Sequence, residues 1–212
     1  MKERMSMKDL AYEFIKNKII NNEFKSGQYL EEKMLCEMIG VSRTPVREAV
    51  SLLESEGFVT SKANKGIFVS TLDMKTSKEL FQARAYIEPI ILELAWKNLE
   101  TDKLEKFIID TKDFIKNKDY KSLNEIDYEF HNYINSCCNN TVLLNISYRL
   151  QDQFQRVRTL NYYDDQRIEG GAYEHLDIIK LIKQNKLDEA KVAMKNHVYS
   201  TQTYFFMSFF KE

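Results

Sequence analysis

The sequence predicts a mainly α-helical protein in which an N-terminal winged helix-turn-helix is followed by an antiparallel all-helical bundle. The 212 residues include only two prolines and six glycines, and so few helix breakers favour long helices with short connections. Strand-like segments lie only near residues 58–70, whereas from Thr76 onward apolar residues recur at helical spacing. We therefore expect domains at residues 1–71 and 77–212, joined by a linker at 72–76.

Two helices are predicted before the glycine turn at Gly40. Ser6 and Asp9 have the spacing of a capping box and mark the start of a first helix that ends near residue 22. The second helix covers about residues 31–39. Gly40 follows it and supplies the backbone freedom that a tight turn between two helices requires.

A third helix and a β-hairpin complete the N-terminal domain. The helix covers about residues 42–56, and Pro45 falls in its first turn, where backbone N–H groups have no intrahelical partner. Residues 58–60 and 67–70 are apolar, strand-like segments on either side of a polar turn that ends at Gly66. Three helices followed by such a hairpin indicate a winged helix-turn-helix.

The second half is predicted to contain six helices and no strand. Thr76 and Glu79 have capping-box spacing and mark the start of the first of these helices. Polar pairs at 139–140 and 185–186 mark breaks between later helices. The predicted helices cover residues 77–99, 102–117, 120–138, 142–160, 166–184 and 187–210. Consecutive helices with short connections indicate an antiparallel bundle.

Charge and cysteine content restrict the functional classes. The formal net charge is −1, which excludes a general electrostatic attraction to nucleic acid, so any DNA binding requires a local basic patch. No apolar run is long enough to span a bilayer, and we expect no signal peptide. Cys36, Cys137 and Cys138 form a poor disulfide framework, which favours a reducing cytoplasm.

The start of the third helix carries the side chains that a reader of the DNA major groove needs. Arg43 and Arg47 lie one turn apart on one face, and arginine presents two parallel donors to guanine O6 and N7. Ser42 and Thr44 are placed to contact a phosphate or to cap the helix. The alternative is a small amphipathic helical unit whose arginines are only solvated.

Two further positions extend the predicted DNA interface. Lys33 lies at the start of the second helix, within reach of a phosphate. Lys65 and Gly66 lie at the tip of the wing, where they are placed to enter the minor groove, and the glycine allows close approach of the backbone. These residues supply the local basic patch that the net charge requires.

The segment IGVSRTPVREAVSLLESEGFV, residues 39–59, resembles the recognition segment of GntR-family bacterial transcription regulators. The resemblance covers residues 8–71 and implies an N-terminal domain that binds operator DNA. Glu31 departs from the family pattern, which often has a small capping residue at this position. The resemblance implies DNA contacts at Lys33, Ser42, Arg43, Thr44, Arg47 and Gly66.

The three histidines of the chain all lie in the C-terminal half and on or beside apolar helix faces. Asp127 precedes His131 by one turn, so both side chains can reach one ligand. His175 and His197 lie on the last two predicted helices. Three imidazoles and a carboxylate suit a borderline divalent ion, Zn²⁺ first, with Ni²⁺, Co²⁺ or Mn²⁺ as alternatives. The alternative is that these are ordinary histidines, hydrogen-bonded or facing water.

The C-terminal half resembles the FCD ligand-binding domain of the FadR subfamily. Three segments carry the resemblance: ELFQARAYIEP at 79–89, DYEFHNYI at 127–134 and EHLDIIKLIKQNKLDEAKVAMKNHV at 174–198. The resemblance implies that metal ligands occupy Asp127, His131, His175 and His197. Some subfamily members lack the metal and bind a fatty-acyl effector, and the complete ligand set argues against that variant.

Arginines are the candidate contacts for an effector carboxylate. Arg84 lies in the family's R-x-x-[IL]-E pattern and is placed either to bind the effector or to pair with Glu88, four residues on. Arg149, Arg156 and Arg158 are further candidates for this contact. The alternative is that they are ordinary arginines exposed on the surface of the bundle.

The sequence therefore predicts a cytoplasmic, homodimeric transcription regulator without enzymatic activity. The winged helix would bind a palindromic operator, because a two-fold dimer presents two recognition helices. A small carboxylate bound at the metal would change operator affinity, and repression released by the effector is implied by resemblance. The rivals are a metal-dependent enzyme that uses the His/Asp site and a regulator whose bundle serves only for dimerisation.

Overall fold

The computed structural model describes residues 5–63, 65–159 and 164–208. The chain divides into two compact units: Met1–Met74 with Asp152–Leu160, and Lys75–Gln151 with Asn161–Glu212. In chain order the elements are α1 (Met7–Ile20), β1 (Tyr29–Leu30), α2 (Glu32–Ile39), α3 (Arg43–Ser55), β2 (Val59–Lys62), β3 (Gly66–Val69), α4 (Met74–Ala95) with a 3₁₀ turn (Trp96–Asn98), α5 (Thr101–Asn117), α6 (Tyr120–Ser136), α7 (Thr141–Arg158), α8 (Asp165–Lys183) and α9 (Leu187–Ser208).

Local side-chain or backbone chemistry marks some, but not all, of the helix ends in the first unit. Ser6 is the N-cap of α1, and its hydroxyl accepts a hydrogen bond from the Asp9 backbone N–H at 3.1 Å, as the capping-box spacing predicts. Gly40 ends α2 with φ 76°. Glu31 and Ser42 are the N-cap residues of α2 and α3, but neither side chain makes a capping hydrogen bond. The hydroxyl of Ser42 is therefore not committed to its own helix.

The wing is a three-stranded sheet rather than a simple hairpin. β2 pairs with β3 in antiparallel fashion, from Val59 opposite Val69 to Lys62 opposite Gly66, which confirms the predicted hairpin. β1 adds to the other side of β3, so that the strand order is β1-β3-β2. The sequence reasoning missed β1 because two residues are too few to show the alternation typical of a strand.

The core of the first unit lies between α1, α2, α3 and the sheet. α3 packs against α1, α2 and β2, and the apolar faces of these elements meet in one cluster. Burial of this apolar surface provides the main stabilisation of the unit. The buried members are Ala11, Ile15, Ile19, Phe24, Leu30, Leu35, Val46, Ala49, Val50, Leu53, Phe58, Val59 and Val69.

The last two turns of α7 also belong to the first unit. A division of the chain at residues 72–76 alone would assign these turns to the second unit. Arg156 is buried there, and its Nη2 donates to the Ser70 carbonyl at 2.6 Å. Gln153 Nε2 donates to the Glu56 carbonyl at 2.8 Å. Further bonds join Lys16 Nζ to Asp152 Oδ2 at 2.5 Å and Thr159 Oγ1 to the Ile20 carbonyl at 2.7 Å.

The second unit is a helical bundle, and no strand occurs among its described residues. α8 packs against α5, α6 and α9, and α5 packs against α6. α4 begins at Met74, so Thr76 lies inside the first turn rather than at the N-cap, and the predicted capping box at Thr76 and Glu79 is wrong. Pro89 is accommodated inside α4. No helix in the described part of the chain is long and apolar enough to cross a membrane.

Phe205 and Cys138 contribute to the packing of this bundle. Phe205 is buried, with its ring centroid 5.5 Å from that of Phe81. Cys138 is a buried free thiol in the core cluster. Both observations agree with roles in packing. Residues 160, 209 and 210, which belonged to predicted helices, lie outside the described residues.

Candidate metal centre and DNA interface

Three helices of the second unit bring the four predicted metal ligands together. Asp127 and His131 lie on α6, His175 on α8 and His197 on α9. One ligand atom from each residue lies within 4.8 Å of all the others, and the three histidines are buried. The four-residue spacing on α6 places Asp127 and His131 on the same face, as predicted from the sequence.

The imidazoles converge through their Nε2 atoms. The Nε2 atoms of His175 and His197 are 3.2 Å apart, and His175 Nε2 is 3.6 Å from Asp127 Oδ1. The Nε2 of His131 is buried and has no hydrogen-bond partner among the described residues. Burial of an unpaired imidazole nitrogen is costly unless a ligand satisfies it. Three imidazoles and one carboxylate therefore fit a borderline divalent cation.

A second carboxylate lies behind His197. Glu174 Oε2 is 2.7 Å from His197 Nδ1, and Arg167 donates to both oxygens of Glu174, at 3.0 and 2.7 Å. Burial raises the pKa of Glu174, but hydrogen bonds from His197 and Arg167 outweigh burial and lower the pKa to about 2. Because the ionised carboxylate only accepts, Nδ1 of His197 carries the proton and Nε2 offers its lone pair.

Burial also acts on His197 itself. It lowers the pKa of the imidazole, and the hydrogen bond with Glu174 opposes that effect only in part. The neutral imidazole is thus favoured, and this is the form that ligates a metal.

His131 also has a carboxylate neighbour, at an ion-pair distance and not in a hydrogen bond. Glu88 Oε2 on α4 is 3.2 Å from His131 Nδ1, and Arg84 Nε donates to Glu88 Oε1 at 2.5 Å. Burial raises the pKa of Glu88, but the charges of Arg84 and His131 outweigh burial and hold the pKa below its ordinary value. Of the two predicted alternatives for Arg84, this structure forms the buried pair with Glu88.

A pocket opens beside this pair. Its lining combines Arg84, Glu88 and His131 with a chain of polar side chains on α6 and α7. Among these polar side chains, Ser147 Oγ donates to Asn135 Oδ1 at 2.9 Å, and Asn135 Nδ2 donates to Gln151 Oε1 at 3.0 Å. The apolar lining consists of Ile87, Ile91, Ile134, Leu150 and Met194.

The other candidate arginines lie elsewhere. Arg149 is exposed, and Arg156 is buried in the first unit, where it bonds to Ser70. Neither lines the pocket beside His131.

Sequence reasoning did not assign the carboxylate groups that face the imidazole Nδ1 atoms. The spacing between Arg84 and Glu88 indicated their pairing, but nothing local relates Glu88 to His131, which lies on another helix. Glu174 precedes His175 directly, yet its partner is His197 on α9. Both relationships arise from helix packing and have no sequence spacing of their own.

The predicted DNA-contact residues lie on exposed parts of the first unit. Arg43, Thr44 and Arg47 are exposed on the first two turns of α3, preceded by the exposed Ser42. Arg47 Nε donates to Glu32 Oε2 at 2.8 Å, and Arg43 Nε is 3.7 Å from Glu32 Oε1. This carboxylate on α2 was not singled out in the sequence.

The remaining predicted contacts lie on α2 and at the wing. Lys33 is exposed, with its Nζ 3.8 Å from Glu37 Oε1. Lys65 is exposed in the turn before β3. Gly66 has φ 94°, and an added Cβ would lie 2.5 Å from Tyr29 Cε2. The positive φ favours glycine at this position independently of any contact with DNA, and a larger residue would also displace the exposed Tyr29 ring.

Comparisons with known proteins agree with both units. Residues 8–69 match the family described as "Bacterial regulatory proteins, gntR family", and residues 79–200 match the FCD domain. The chain is 29% identical over 190 residues to the uncharacterized HTH-type transcriptional regulator YdhC of Bacillus subtilis, covering 88% of this chain and 85% of YdhC. It is 30% identical over 155 residues to the HTH-type transcriptional repressor GlaR of Escherichia coli, covering 70% of each.

A solved structure shows the same fold. The structure of E. coli McbR/YncC aligns with a TM-score of 0.80 at 16% identity and covers 97% of this chain and 100% of that one. The relatives are named as transcriptional regulators and not as enzymes, and regulators of the gntR family bind operator DNA. The chain therefore belongs to the gntR family of bacterial transcription regulators and carries a C-terminal FCD domain.

Proposed function

We propose that this regulator binds a small organic acid at a divalent metal ion in its FCD domain, and that the acid controls its affinity for the operator. The observation that carries the proposal is the convergence of Asp127, His131, His175 and His197 within 4.8 Å. The unpartnered, buried Nε2 of His131 supports it, because an ion at the centre of the cluster would satisfy that nitrogen.

The donor set favours Zn²⁺, with Ni²⁺, Co²⁺ and Mn²⁺ as alternatives. Such an ion would supply Lewis-acid attraction for a carboxylate. Glu88 and Glu174 would fix the imidazole orientations of His131 and His197 from behind.

The small cavity beside His131, which in this structure has room for about one water molecule, is the proposed place for the rest of the effector, and its lining side chains would move apart to admit it. Arg84 lines it, and we propose that Arg84 binds the effector carboxylate in exchange for part of its bond to Glu88. Asn135, Ser147 and Gln151 present amide and hydroxyl groups along the same lining. These groups bond to one another, and the lining favours a polar acid because such an acid can exchange hydrogen bonds with them, which a fatty-acyl chain cannot do.

The proposed DNA interface consists of the N-terminal end of α3, Lys33 of α2 and the tip of the wing. Exposure of the arginines and hydroxyl residues on α3 supports major-groove reading. We propose that the protein is a homodimer, because two recognition helices related by a two-fold axis match a palindromic operator. We also propose that it acts in the cytoplasm. The proposed contacts are Lys33, Ser42, Arg43, Thr44, Arg47, Lys65 and Gly66.

The proposed regulatory direction is repression that the effector relieves. Two relatives are named as repressors: GlaR and the E. coli protein RspR, which is 23% identical over 190 residues. An acid that binds one arrangement of the dimer better than another would shift the population toward it and so change operator affinity. A bundle that serves only for dimerisation would give no such response.

The test is metal analysis of the purified protein combined with histidine variants. We expect about one divalent ion per chain by elemental mass spectrometry, because four converging donors suffice for one tight site. His175→Ala and His197→Ala should each lose the ion, whereas Asp177→Ala, an exposed position on the same α8, should retain it. A metal-free wild-type protein, or histidine variants that keep a full complement of metal, would contradict the proposal.

A further inference from the structure

We propose that Glu32 is a positioning residue for DNA reading, whose carboxylate holds Arg47 and, more loosely, Arg43 in the orientation in which they meet the base edges. This inference rests on the proposed role of the two arginines in DNA binding. It assigns to α2 a part in base selectivity, beyond support for the recognition helix.

The two oxygens of Glu32 serve different arginines. Oε2 accepts a hydrogen bond from Arg47 Nε at 2.8 Å, and Oε1 lies 3.7 Å from Arg43 Nε. The Glu32 side chain is 24% exposed, whereas those of Arg43 and Arg47 are 69% and 67% exposed. A comparatively fixed carboxylate thus lies beneath two otherwise solvated guanidinium groups.

The bond to Nε leaves the outer edge of the guanidinium for DNA. Recognition of guanine O6 and N7 requires two parallel N–H groups, and Nη1 and Nη2 of Arg47 present such a pair at the far end of the side chain. A long exposed side chain loses rotamer entropy when it is ordered on binding. Because Glu32 restrains Arg47 before DNA arrives, part of that entropy is already lost in the free protein.

Because Glu32 is negatively charged, its effect on base selectivity can be distinguished from its effect on the overall affinity for DNA. A carboxylate close to DNA phosphates weakens binding to every sequence through repulsion. If Glu32 had no positioning role, its neutralisation would strengthen binding to all sequences alike. The neighbouring Glu37 provides a matched control, since it lies on the same helix, is exposed, and contacts Lys33 at 3.8 Å rather than either arginine.

The experiment measures base preference with the full-length protein. Wild type, Glu32→Gln and Glu37→Gln each select from a random-sequence duplex library, and bound fractions are sequenced over a range of protein concentrations. Glu32→Gln should reduce discrimination at the most selective base position by about tenfold, within the range for loss of one bidentate contact. Glu37→Gln should retain the wild-type preference.

Two further variants separate positioning from helix stability, because Glu32 also places a negative charge in the first turn of α2. Glu32→Asp keeps that charge but withdraws the oxygens from Arg47, so it should lose discrimination as Glu32→Gln does. In an Arg47→Ala background, Glu32→Gln should cause little further loss of discrimination, because its target is gone.

Unchanged base preference in both Glu32→Gln and Glu32→Asp would overturn the inference, as would an equal loss in the presence and absence of Arg47. The proposed DNA interface is tested separately by Arg43→Ala and Arg47→Ala, with the exposed Arg149→Ala of the second unit as the control. If both variants select DNA as the wild type does, the assignment of these arginines fails, and the role of Glu32 fails with it.

Discussion

Glu174 illustrates how single residues set the chemistry of the cluster without belonging to it. Its carboxylate lies between Arg167, which donates to both oxygens, and His197, whose Nδ1 is 2.7 Å away. Outer carboxylates of this kind fix the tautomer and orientation of a metal-ligating imidazole and increase its basicity. The ability of His197 to ligate a metal therefore depends on a residue that would not itself contact the ion.

We predict that Glu174→Gln weakens binding of a divalent metal about 10- to 100-fold, because the amide no longer carries the charge that fixes the proton on Nδ1. Chelator-competition titration with Zn²⁺ measures the dissociation constant. Asp177→Asn removes a carboxylate from an exposed position on the same helix and should leave the affinity unchanged. Equal affinities for the two variants would show that Glu174 does not support the site.

A second residue-scale prediction concerns the wing. Gly66→Ala should destabilise the first unit, because a non-glycine residue at φ 94° costs about 1–3 kcal/mol and the new Cβ would press on the ring of Tyr29. Thermal unfolding should show a lower Tm. In a Tyr29→Ala background the clash is removed but the backbone cost stays, so Gly66→Ala should still destabilise, by less. A Tm equal to that of the wild type would contradict this account.

At the scale of single elements, α6 is capped in a way that depends on pH. Asp119 is its N-cap: Oδ1 accepts from the Ser122 backbone N–H at 3.1 Å, and Oδ2 accepts from the Ser122 hydroxyl at 2.6 Å. These two bonds, the hydroxyl bond first, lower the pKa of Asp119 below 3.8. This helix carries Asp127 and His131, so its cap supports an element of the candidate site.

We therefore predict that Asp119→Asn destabilises the protein near neutral pH. A carboxyl whose pKa is lower in the folded than in the unfolded chain stabilises the fold above the unfolded pKa, and that stabilisation is lost as pH falls through the folded pKa. The difference in denaturation midpoint between wild type and Asp119→Asn should accordingly shrink as pH is lowered below about 4. Asp113→Asn, at an exposed position on α5, serves as a control, and a pH-independent difference would contradict the prediction.

The elements could be predicted from the sequence where the signal is local. Capping at Ser6 and the turn at Gly40 follow from side-chain chemistry within a few residues, and the six bundle helices follow from apolar spacing. The start of α4 was misplaced because Thr76 has capping chemistry but lies within the first turn. β1 has no local signal, since two residues form a strand only because β3 offers an edge.

The candidate site divides in the same way. Asp127 and His131 are linked by helical spacing, whereas His175 and His197 were candidates only as histidines beside apolar helix faces, and the resemblance to a family added support for them as ligands. Glu32, Glu88 and Glu174 act across helices, at distances that only packing determines. A single sequence therefore indicates the side chains that are candidates for metal ligation or DNA contact, but not the carboxylates that lie beside them.

At the scale of the whole molecule, α7 contributes to both units. Arg156 is buried in the first unit, where Nη2 donates to the Ser70 carbonyl, Nη1 donates to Gln153 Oε1 at 2.9 Å, and the guanidinium lies 5.6 Å from the centroid of the Phe58 ring. Burial lowers the pKa of Arg156 to about 10. The group remains charged near neutral pH, so its bonds are charge-assisted.

We predict that Arg156→Ala destabilises the first unit by about 1.5–3 kcal/mol, the range for loss of a hydrogen bond to a charged group. Urea unfolding followed by circular dichroism measures the change. Arg149→Ala, which alters an exposed arginine of the same helix in the second unit, should change stability by less than about 0.5 kcal/mol. Similar effects of the two variants would show that the buried contacts do not stabilise the winged helix.

The membership of residues 152–158 in the first unit has a consequence for domain exchange between regulators. A chimera cut at residues 72–76 would pair the winged helix of one parent with the α7 of another, and would replace Asp152, Gln153 and Arg156 by foreign side chains. In the transplanted winged helix, Lys16 and the carbonyl groups of Glu56 and Ser70 would then lack their native hydrogen-bond partners. A functional graft must therefore carry two separated pieces of sequence, so that compatibility along α7 restricts which winged helices and which C-terminal domains can be recombined.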